Sequence, residues 1–444
     1  MPNSAGKCTN FGNCQKADSG EVIPVQPGTN PICPVCQRPL VIVPGGRKGA
    51  PWGLIAVLLI ACLLVGWLLF SRTHGGSVKK GGSGETSSNG TGRSSSGGTA
   101  VVHSGDALMY YERSDEKWLQ AAANDFNKQH ESQPQIILDF RGSREGKQDI
   151  LYGRGKPAIW NPADLYWIDK LNMDWRSVGK HDQDVVPASK TILSTRFVLV
   201  MWTDRAKVFT SAMGRPEYHG KTWQLLYDLA TEGWKKVGAP DSWGKLKLAQ
   251  SDPTKSNGGQ TTLALMFAEY RRAHPEAQPS SPDFVKFMHG IENAVPRFES
   301  TTSKGIDSMV RQGKDAYDGS VAYEANAITA VDKGQSDIRI IYPDPSVEID
   351  FPAAILDASW VGSDEKQLAG QFIDYLLTRD VQKTALQYGL RPGIDTMRAE
   401  VDNAYSAGAR GDAGFQLDPR MVVRPVGARV IDDLLYQWYK IYGS

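Results

Sequence analysis

The sequence predicts an α/β fold of two lobes for residues 100–444, preceded by one membrane-spanning helix and a small cysteine-bearing module. Three observations lead to this prediction. Strand-like apolar runs alternate with helix-like apolar stripes throughout the long polar part of the chain. A single uncharged apolar run lies at residues 52–70. Four of the five cysteines come before that run, and the fifth lies within it.

The apolar run from Trp52 to Phe70 reads WGLIAVLLIACLLVGWLLF. About 20 apolar residues in a helix that rises ~1.5 Å per residue span the hydrocarbon core of a bilayer. A cleaved signal peptide would begin near residue 1 and have a shorter apolar core. A lipoprotein signal ending at Cys62 would turn polar after that cysteine, whereas this run continues to Phe70. We therefore expect a single-pass membrane anchor.

The cysteines before the anchor suggest a metal site. Cys8 and Cys14 form a C-x5-C pair, and Cys33 and Cys36 form C-P-V-C, which has the spacing of a zinc knuckle. Four thiolates can close a tetrahedral zinc site, and a segment this short needs a metal or cross-links to fold. We expect residues 1–46 to form a zinc ribbon with structural zinc, the alternatives being two disulfides or unliganded thiols.

The zinc interpretation also orients the anchor. Thiols stay reduced in the cytosol, so residues 1–46 are expected inside and residues 100–444 outside. Residues 71–99 are rich in Gly and Ser and lack apolar periodicity, which predicts a flexible tether.

The alternation of elements in the large region predicts layers of helices on a largely parallel sheet. The strand-like runs are 107–111, 135–140, 197–202, 245–249 and 338–342. The helix-like stripes fall at 118–126, 150–151, 263–270, 363–377 and 430–442.

Three turns that follow predicted strands carry hydroxyl residues at a helix start. Ser114, Ser143 and Ser256 lie in these turns. Exposed backbone N–H groups and the helix dipole at such positions suit an oxyanion or a carboxylate, and ligands bind at this edge of an α/β sheet. The alternative is that these serines serve only as helix N-caps.

Several segments, taken in their order along the chain, resemble a known family. They read DFRGSREGKQDI, KPAIWNPADLYWIDKLN, RFVLVMW, LKLAQSDPTKSNGGQTTLALMFAEY, GSVAYEAN and AAILDASWVGSDEKQLAGQFIDYLLTRDVQKTALQYGLRP. Together they resemble bacterial extracellular solute-binding proteins of the type II periplasmic-binding fold, and more narrowly the branch that binds phosphate and molybdate. The resemblance covers roughly residues 105–395.

This resemblance implies two lobes that close on a ligand in the cleft between them. Lobe 1 is expected at about 100–195 and 325–444, and lobe 2 at about 196–324. The expected ligand contacts, carried over by position, are Ser114, Ser143, Thr254, Ser256 and Tyr323.

The expected function is capture of a small anionic ligand, such as an oxyanion, for transport or sensing at the bacterial inner membrane. An ABC permease is the partner that the resemblance implies. Asp164 stands where relatives often have a small hydroxyl residue, and its carboxylate would repel an oxyanion. The alternative is therefore a ligand-free scaffold that docks envelope proteins, for example those with von Willebrand A-type domains.

Other function classes find no support in the sequence. The seven histidines are scattered, no G-x-S-x-G elbow is present, and Gly258-Gly259 lacks the G-K-[ST] of a P-loop. We therefore expect no enzyme activity. The net charge of +1 does not indicate a protein that binds nucleic acid. The amphipathic pattern at 430–442 favours a helix that packs on the first lobe over one that binds a partner.

Overall fold

The structure is a computed structural model. It describes residues 4–8, 14, 16, 21–25, 31–37, 40–43, 105–111, 115–131, 133–178, 181–418 and 426–443. The expected anchor at 52–70 and tether at 71–99 lie outside these residues. Within the described ranges, no helix combines the length and apolar character needed to cross a membrane.

The amino-terminal module is a small antiparallel sheet. Strand β1 (Ser4–Lys7) pairs with both β2 (Val22–Val25) and β3 (Val41–Val43), which gives the order β2-β1-β3. Ile23, Val25 and Leu40 are buried beside the cysteines. This apolar cluster is small, as expected for a segment too short to build a full core.

The large domain contains two sheets joined by a shared strand. Its strands are β4 (Ala107–Tyr111), β5 (Ile136–Phe140), β6 (Ile159–Asn161), β7 (Ser189–Trp202), β8 (Leu248–Ser251), β9 (Phe298–Glu299), β10 (Gly319–Tyr323), β11 (Ile338–Ile341), β12 (Glu348–Ile355) and β13 (Arg391–Pro392). The hydrogen-bonded path runs β5-β4-β6-β12-β7-β10-β8-β9, and β11 and β13 also pair with β7.

Strand β7 connects the lobes because it belongs to both sheets. Its first half pairs with β12 and β13, and its second half, from Phe197 onward, pairs with β10 and β11. The segment Phe197–Met201 is fully buried, which explains its unbroken apolar sequence. Only this second half was predicted from the sequence, because the first half, SKTILSTR, is mostly polar and shows neither an apolar run nor a regular alternation.

The sheets are mixed, which corrects the expectation of a largely parallel arrangement. The outer pairs β4–β5, β4–β6, β8–β9 and β8–β10 are parallel, as predicted. Every neighbour of β7 is antiparallel to it. Neighbouring parallel strands must be joined by a crossover connection, usually a helix. Strand β7 needs no such connection, because it continues directly from the first sheet into the second.

Helices cover both sheets. They are α1 (Glu116–Gln129), α2 (Ser143–Leu151), α3 (Leu165–Ser177), α4 (Thr203–Met213), α5 (Thr222–Thr231), α6 (Asn257–Ala273), α7 (Pro282–Glu292), α8 (Thr302–Gln312), α9 (Glu324–Asp332), α10 (Ser363–Leu376), α11 (Arg379–Ala385), α12 (Arg398–Tyr405), α13 (Gly408–Asp412) and α14 (Ala428–Tyr442). Short 3₁₀ turns lie at Pro216–Tyr218, Trp234–Val237, Asp241–Trp243, Leu386–Tyr388 and Asp395–Met397.

Lobe 1 comprises β4–β6, β12, β13 and the first half of β7, with helices α1–α3, α10 and α11. Lobe 2 comprises the second half of β7 and β8–β11, with α4–α9. The division differs from the expected one after residue 324. Strand β11 joins the sheet of lobe 2, and Val401, Tyr405 and Ala413 pack into the core beside that sheet.

Candidate functional site: the cleft between the lobes

A cleft of about 440 Å³ lies between the two lobes. Its lining is polar and rich in hydroxyl groups. The lining residues are Phe140, Gly142, Ser143, Arg144, Glu145, Gln148, Trp167, Lys255, Ser256, Asn257, Gln260, Ser300, Thr301, Thr302, Ser303, Tyr323 and Asn326.

Four helices begin at this cleft. Helix α2 of lobe 1 begins at Ser143, and helices α6, α8 and α9 of lobe 2 begin at Asn257, Thr302 and Glu324. The first turn of each helix, or the residue just before it, lines the cleft. The first N–H groups of a helix have no partner within the helix, and its dipole is positive at that end. Four such ends around one space form an environment that suits an anion.

The hydroxyl groups of lobe 2 form a hydrogen-bonded rim. The Oγ of Ser256 lies 3.0 Å from the Oγ1 of Thr302, which links the starts of α6 and α8. The amide of Asn257 donates to the hydroxyl of Tyr323 at 3.0 Å. The indole N–H of Trp167, on lobe 1, donates to Asn257 Oδ1 at 3.2 Å, so Asn257 also connects the two lobes.

A glycine permits this close approach of α6 and α8. A Cβ on Gly258 would collide with the side chain of Thr302. By contrast, a Cβ on Gly142, which precedes α2 in lobe 1, would meet nothing within 4 Å. Gly258 therefore has a packing role at the rim, and Gly259 packs against the backbone of Ser251 and Pro253 in the turn before α6.

Cations contribute little to the lining. Among the described residues that line the cleft, only Arg144 and Lys255 carry positive charge, and Lys255 is paired with Asp252 at 2.9 Å. Arg141 is held by Asp139 at 3.0 Å and by Asp149 at 3.4 Å. The site therefore offers mostly neutral donors to a ligand.

The carboxylate of Asp164 stands behind the cleft wall. Asp164 caps α3 by accepting a hydrogen bond from the backbone N–H of Tyr166 at 2.9 Å. It lines a much smaller cavity that shares Asn257 and Gln260 with the cleft. Burial is the main cause that raises the pKa of Asp164 to about 7, so its charge is weakened near neutral pH. The repulsion expected from its position in the sequence is therefore reduced.

Three of the five predicted ligand contacts meet at the cleft: Ser143, Ser256 and Tyr323. Thr254 does not line the cleft: it is buried in the turn before α6, where its hydroxyl donates to Asp252 Oδ1 at 2.6 Å. Ser114 lies outside the described residues.

Sequence reasoning missed the start of α8. Thr301, Thr302 and Ser303 line the cleft, as do Asn257 and Asn326. A signal was present in the run Ser300-Thr301-Thr302-Ser303, which precedes a helical stripe. The run follows a strand of only two residues, β9, and so gave no strand-then-helix pattern.

The four cysteines of the amino-terminal module also converge. The Sγ atoms of Cys8, Cys14, Cys33 and Cys36 all lie within 4.8 Å of one another. The sulfurs are 3.5 Å apart in both the Cys8–Cys36 and the Cys14–Cys33 pair, well beyond the ~2.05 Å of a disulfide. Burial acts to raise the pKa of Cys33, but hydrogen bonds from the backbone of Cys36 and Val35 outweigh it, and the pKa is lowered. The donor set fits a tetrahedral Zn²⁺ site.

Comparison with known proteins gives a family and a fold. The family described as "Bacterial extracellular solute-binding protein" matches residues 108–391. Comparison with curated proteins gives no match.

Two solved structures illustrate the fold. One is the periplasmic binding protein AfuA from Actinobacillus pleuropneumoniae with exogenous fructose-6-phosphate bound, 12% identical, covering 76% of this chain and 98% of its own, with a TM-score of 0.51. The other is the ferric binding protein from Campylobacter jejuni, 10% identical, with the same coverage of both chains and the same TM-score. The likeness at these identities extends to the fold alone. The match over residues 108–391 and the two-lobed α/β architecture show that the chain belongs to the family of bacterial extracellular solute-binding proteins.

Proposed function

We propose that this protein is a membrane-anchored, extracytoplasmic solute-binding protein that takes a small anionic solute into the cleft between its lobes. The convergence of four helix N-termini on one hydroxyl-lined space carries this proposal. Backbone N–H groups and hydroxyls bind a fully ionised oxyanion without a counter-charge, because the helix dipoles supply positive potential.

The size of the cleft allows a ligand larger than a bare oxyanion. A volume of about 440 Å³ lies within the range of roughly 300–1,000 Å³ typical of small-molecule sites. Phe140 and Trp167 line the lobe 1 side and could contact an organic group. The ligand class is therefore an oxyanion, free or attached to a small organic body such as a sugar.

A thermal-shift screen of the full chain in detergent tests this proposal. The compounds are phosphate, sulfate, molybdate, fructose 6-phosphate and the neutral sugar fructose. Ligand binding to the folded state alone raises the melting temperature with ligand concentration. We expect a shift with at least one anion and none with fructose. A shift with no anion, or an equal shift with fructose, would contradict anion capture.

The rim variant Ser256→Ala and the exposed lobe 2 variant Ser336→Ala form a matched pair for the responding compound. Ser256 lies at the rim, whereas Ser336 is exposed and does not line the cleft. Loss of a hydrogen bond to a charged ligand costs about 1.5–3 kcal/mol. The affinity for the ligand should therefore fall at least ~10-fold in Ser256→Ala and stay unchanged in Ser336→Ala.

For the amino-terminal module, we propose one structural zinc held by Cys8, Cys14, Cys33 and Cys36. Zinc would supply the cross-link that this short segment cannot gain from apolar burial. Metal analysis of the purified full chain should find about one zinc per chain, the stoichiometry of a four-thiolate site. The variant Cys33→Ser should lose the bound zinc, whereas the control variant Cys62→Ser should keep it. A metal-free protein with disulfides would contradict the site.

The proposed topology places the zinc module in the cytosol and the cleft outside the bacterial inner membrane. The uncharged apolar sequence of residues 52–70 supports a membrane anchor, and the proposed zinc site, which needs reduced thiols, supports the orientation. Protease added to intact spheroplasts should digest the large domain and leave a fragment containing residues 1–46 protected. Transport through an ABC permease and sensing are the two uses of capture that this topology allows.

A further inference from the structure

The carboxyl-terminal helix α14 contacts both lobes. It lies beyond the residues that match the family, which end at 391. It packs mainly on α6 and also touches α7, both in lobe 2, and it packs on α3 in lobe 1. Its apolar side chains Ile431, Leu434, Leu435 and Trp438 are buried in these contacts.

The contact with lobe 1 includes a buried chain of charges. Asp432 of α14 pairs with Lys170 of α3 at 2.9 Å, and side-chain exposure is only 7% and 0%. Lys170 lies 3.5 Å from Asp174, which in turn pairs with Lys147 of α2 at 2.5 Å. Helix α2 is the lobe 1 helix whose start lines the cleft. The chain of charges therefore links the carboxyl-terminal helix to helix α2 through α3.

The contact with lobe 2 uses the other end of the same helix. The indole N–H of Trp438 donates to Glu292 Oε2 of α7 at 2.9 Å, and the ring of Trp438 packs edge-on against Phe298 at 5.0 Å. The hydroxyl of Tyr442 lies 2.7 Å from His289 Nδ1. One helix thus has its beginning fixed to lobe 1 and its end fixed to lobe 2.

We infer that α14 is a brace that holds the two lobes at a set angle, and that Asp432 and Lys170 are the positioning residues of its lobe 1 end. Apolar contacts tolerate sliding, whereas a buried ion pair is favourable in only one register. A buried pair adds little net stability compared with apolar residues of similar size, yet losing one partner is strongly unfavourable. Such a pair therefore serves orientation better than stability.

The brace predicts that the unliganded domain keeps one lobe angle instead of sampling open and closed forms. Spin labels attached through bioorthogonal amino acids at Asn124 of α1 and Lys207 of α4 report the distance between lobes by pulsed EPR. Both residues are exposed, and this labelling leaves the native cysteines untouched. The full chain in detergent, without ligand, should give one narrow distance distribution.

Asp432→Asn should broaden this distribution and add a second, displaced population. Asp433→Asn removes the same charge from the same helix at an exposed position and should leave the distribution narrow. The double variant Lys170→Met with Asp432→Leu removes both partners of the pair and leaves Asp174 paired with Lys147, so no buried charge is left unpaired. It should broaden the distribution even if the single variant fails to fold. A narrow, unshifted distribution in the double variant would overturn the brace. So would an equal broadening in Asp433→Asn. The measurement needs no ligand, so its outcome is separate from that of the proposed anion capture.

Discussion

The two walls of the cleft differ in what they offer a ligand. Lobe 2 contributes three helix starts and most of the hydroxyl groups, linked to one another through Ser256, Thr302, Asn257 and Tyr323. Lobe 1 contributes one helix start, the rings of Phe140 and Trp167, and Arg144. For the proposed anion capture, the difference predicts that lobe 2 forms the anion-binding wall and that lobe 1 covers the ligand and contacts its remaining surface.

The largest effect should come from placing a negative charge on the lobe 2 wall. Ser303→Asp puts a carboxylate at the start of α8, where the anion would bind. Two like charges about 4 Å apart repel by about 4 kcal/mol at an effective dielectric constant of 20, so affinity for the anion should fall by more than ~100-fold. Gln148→Glu adds the same charge to the lobe 1 wall and should cost less than ~10-fold. Equal losses in titration calorimetry would show that the two walls do not differ.

Lobe 2 also contains a buried carboxyl group that should make stability depend on pH. Burial, as the main cause, raises the pKa of Glu292 to about 7. Between these two pKa values, the carboxyl group of Glu292 keeps its proton in the folded state, whereas in the unfolded state, with a pKa near 4.3, it has lost it. Stability is therefore highest below about pH 4 for this group, falls by about 4 kcal/mol between about pH 4 and 7, and levels off above pH 7.

Glu292→Gln should reduce the fall in stability between pH 4 and 7 by about this amount, as measured by chemical unfolding of the full chain. The part of the fall that remains belongs to other carboxyl groups whose pKa burial raises, among them Asp164 and Glu269. The exposed helix residue Asp283, in the same α7, provides the control Asp283→Asn, which should retain the wild-type pH profile. A profile that stays unchanged in Glu292→Gln would contradict the assignment of the titration to lobe 2.

The two glycines near the helix starts test packing on each wall. Gly258→Ala brings a Cβ into Thr302, and overpacking of this kind costs about 1–3 kcal/mol of stability. Anion affinity should fall as well, because α6 and α8 must separate. Gly142→Ala meets nothing within 4 Å and should change stability by less than ~0.5 kcal/mol. Thermal unfolding of both variants measures these losses of stability. A larger loss in Gly142→Ala than in Gly258→Ala would contradict the prediction.

The smallest effect is expected for the cation on the lobe 1 wall. Arg144→Gln removes a partly exposed charge, and such charges contribute about 0–1 kcal/mol, or up to ~5-fold in affinity. The fall in anion affinity caused by Arg144→Gln should be smaller still at high salt concentration. A loss as large as that of Ser303→Asp would mean that Arg144, and with it lobe 1, provides the main anion contact.

Much of the fold could be predicted because its signals are local. The strand at 107–111 and the helix stripe at 118–126 were both recognised from periodicity and match β4 and α1. The first half of β7 was missed, since one strand that serves two sheets changes its exposure along its length. The pairing of β11 with β7 could not be predicted, because long-range pairing leaves no mark in the local sequence.

The candidate site was predictable in part for a similar reason. Ser143 and Ser256 follow strands directly, so strand-then-helix patterns identified them. Thr254 shared that pattern, but its hydroxyl is used within the turn by Asp252, and only the folded geometry separates a ligand contact from a turn contact. The burial of Asp164 behind Asn257 also depends on how the two lobes meet. Because Asp164 is buried behind the cleft wall, its carboxylate repels an anion in the cleft less than its position in the sequence suggests.

Titration calorimetry of the full chain with phosphate, sulfate, molybdate and fructose 6-phosphate, repeated on Ser303→Asp, tests the anion-binding wall of lobe 2 most directly. We expect saturable binding of at least one of these anions by the wild type and loss of that binding in Ser303→Asp. Wild-type binding that persists unchanged in Ser303→Asp, or no binding of any anion, would contradict it.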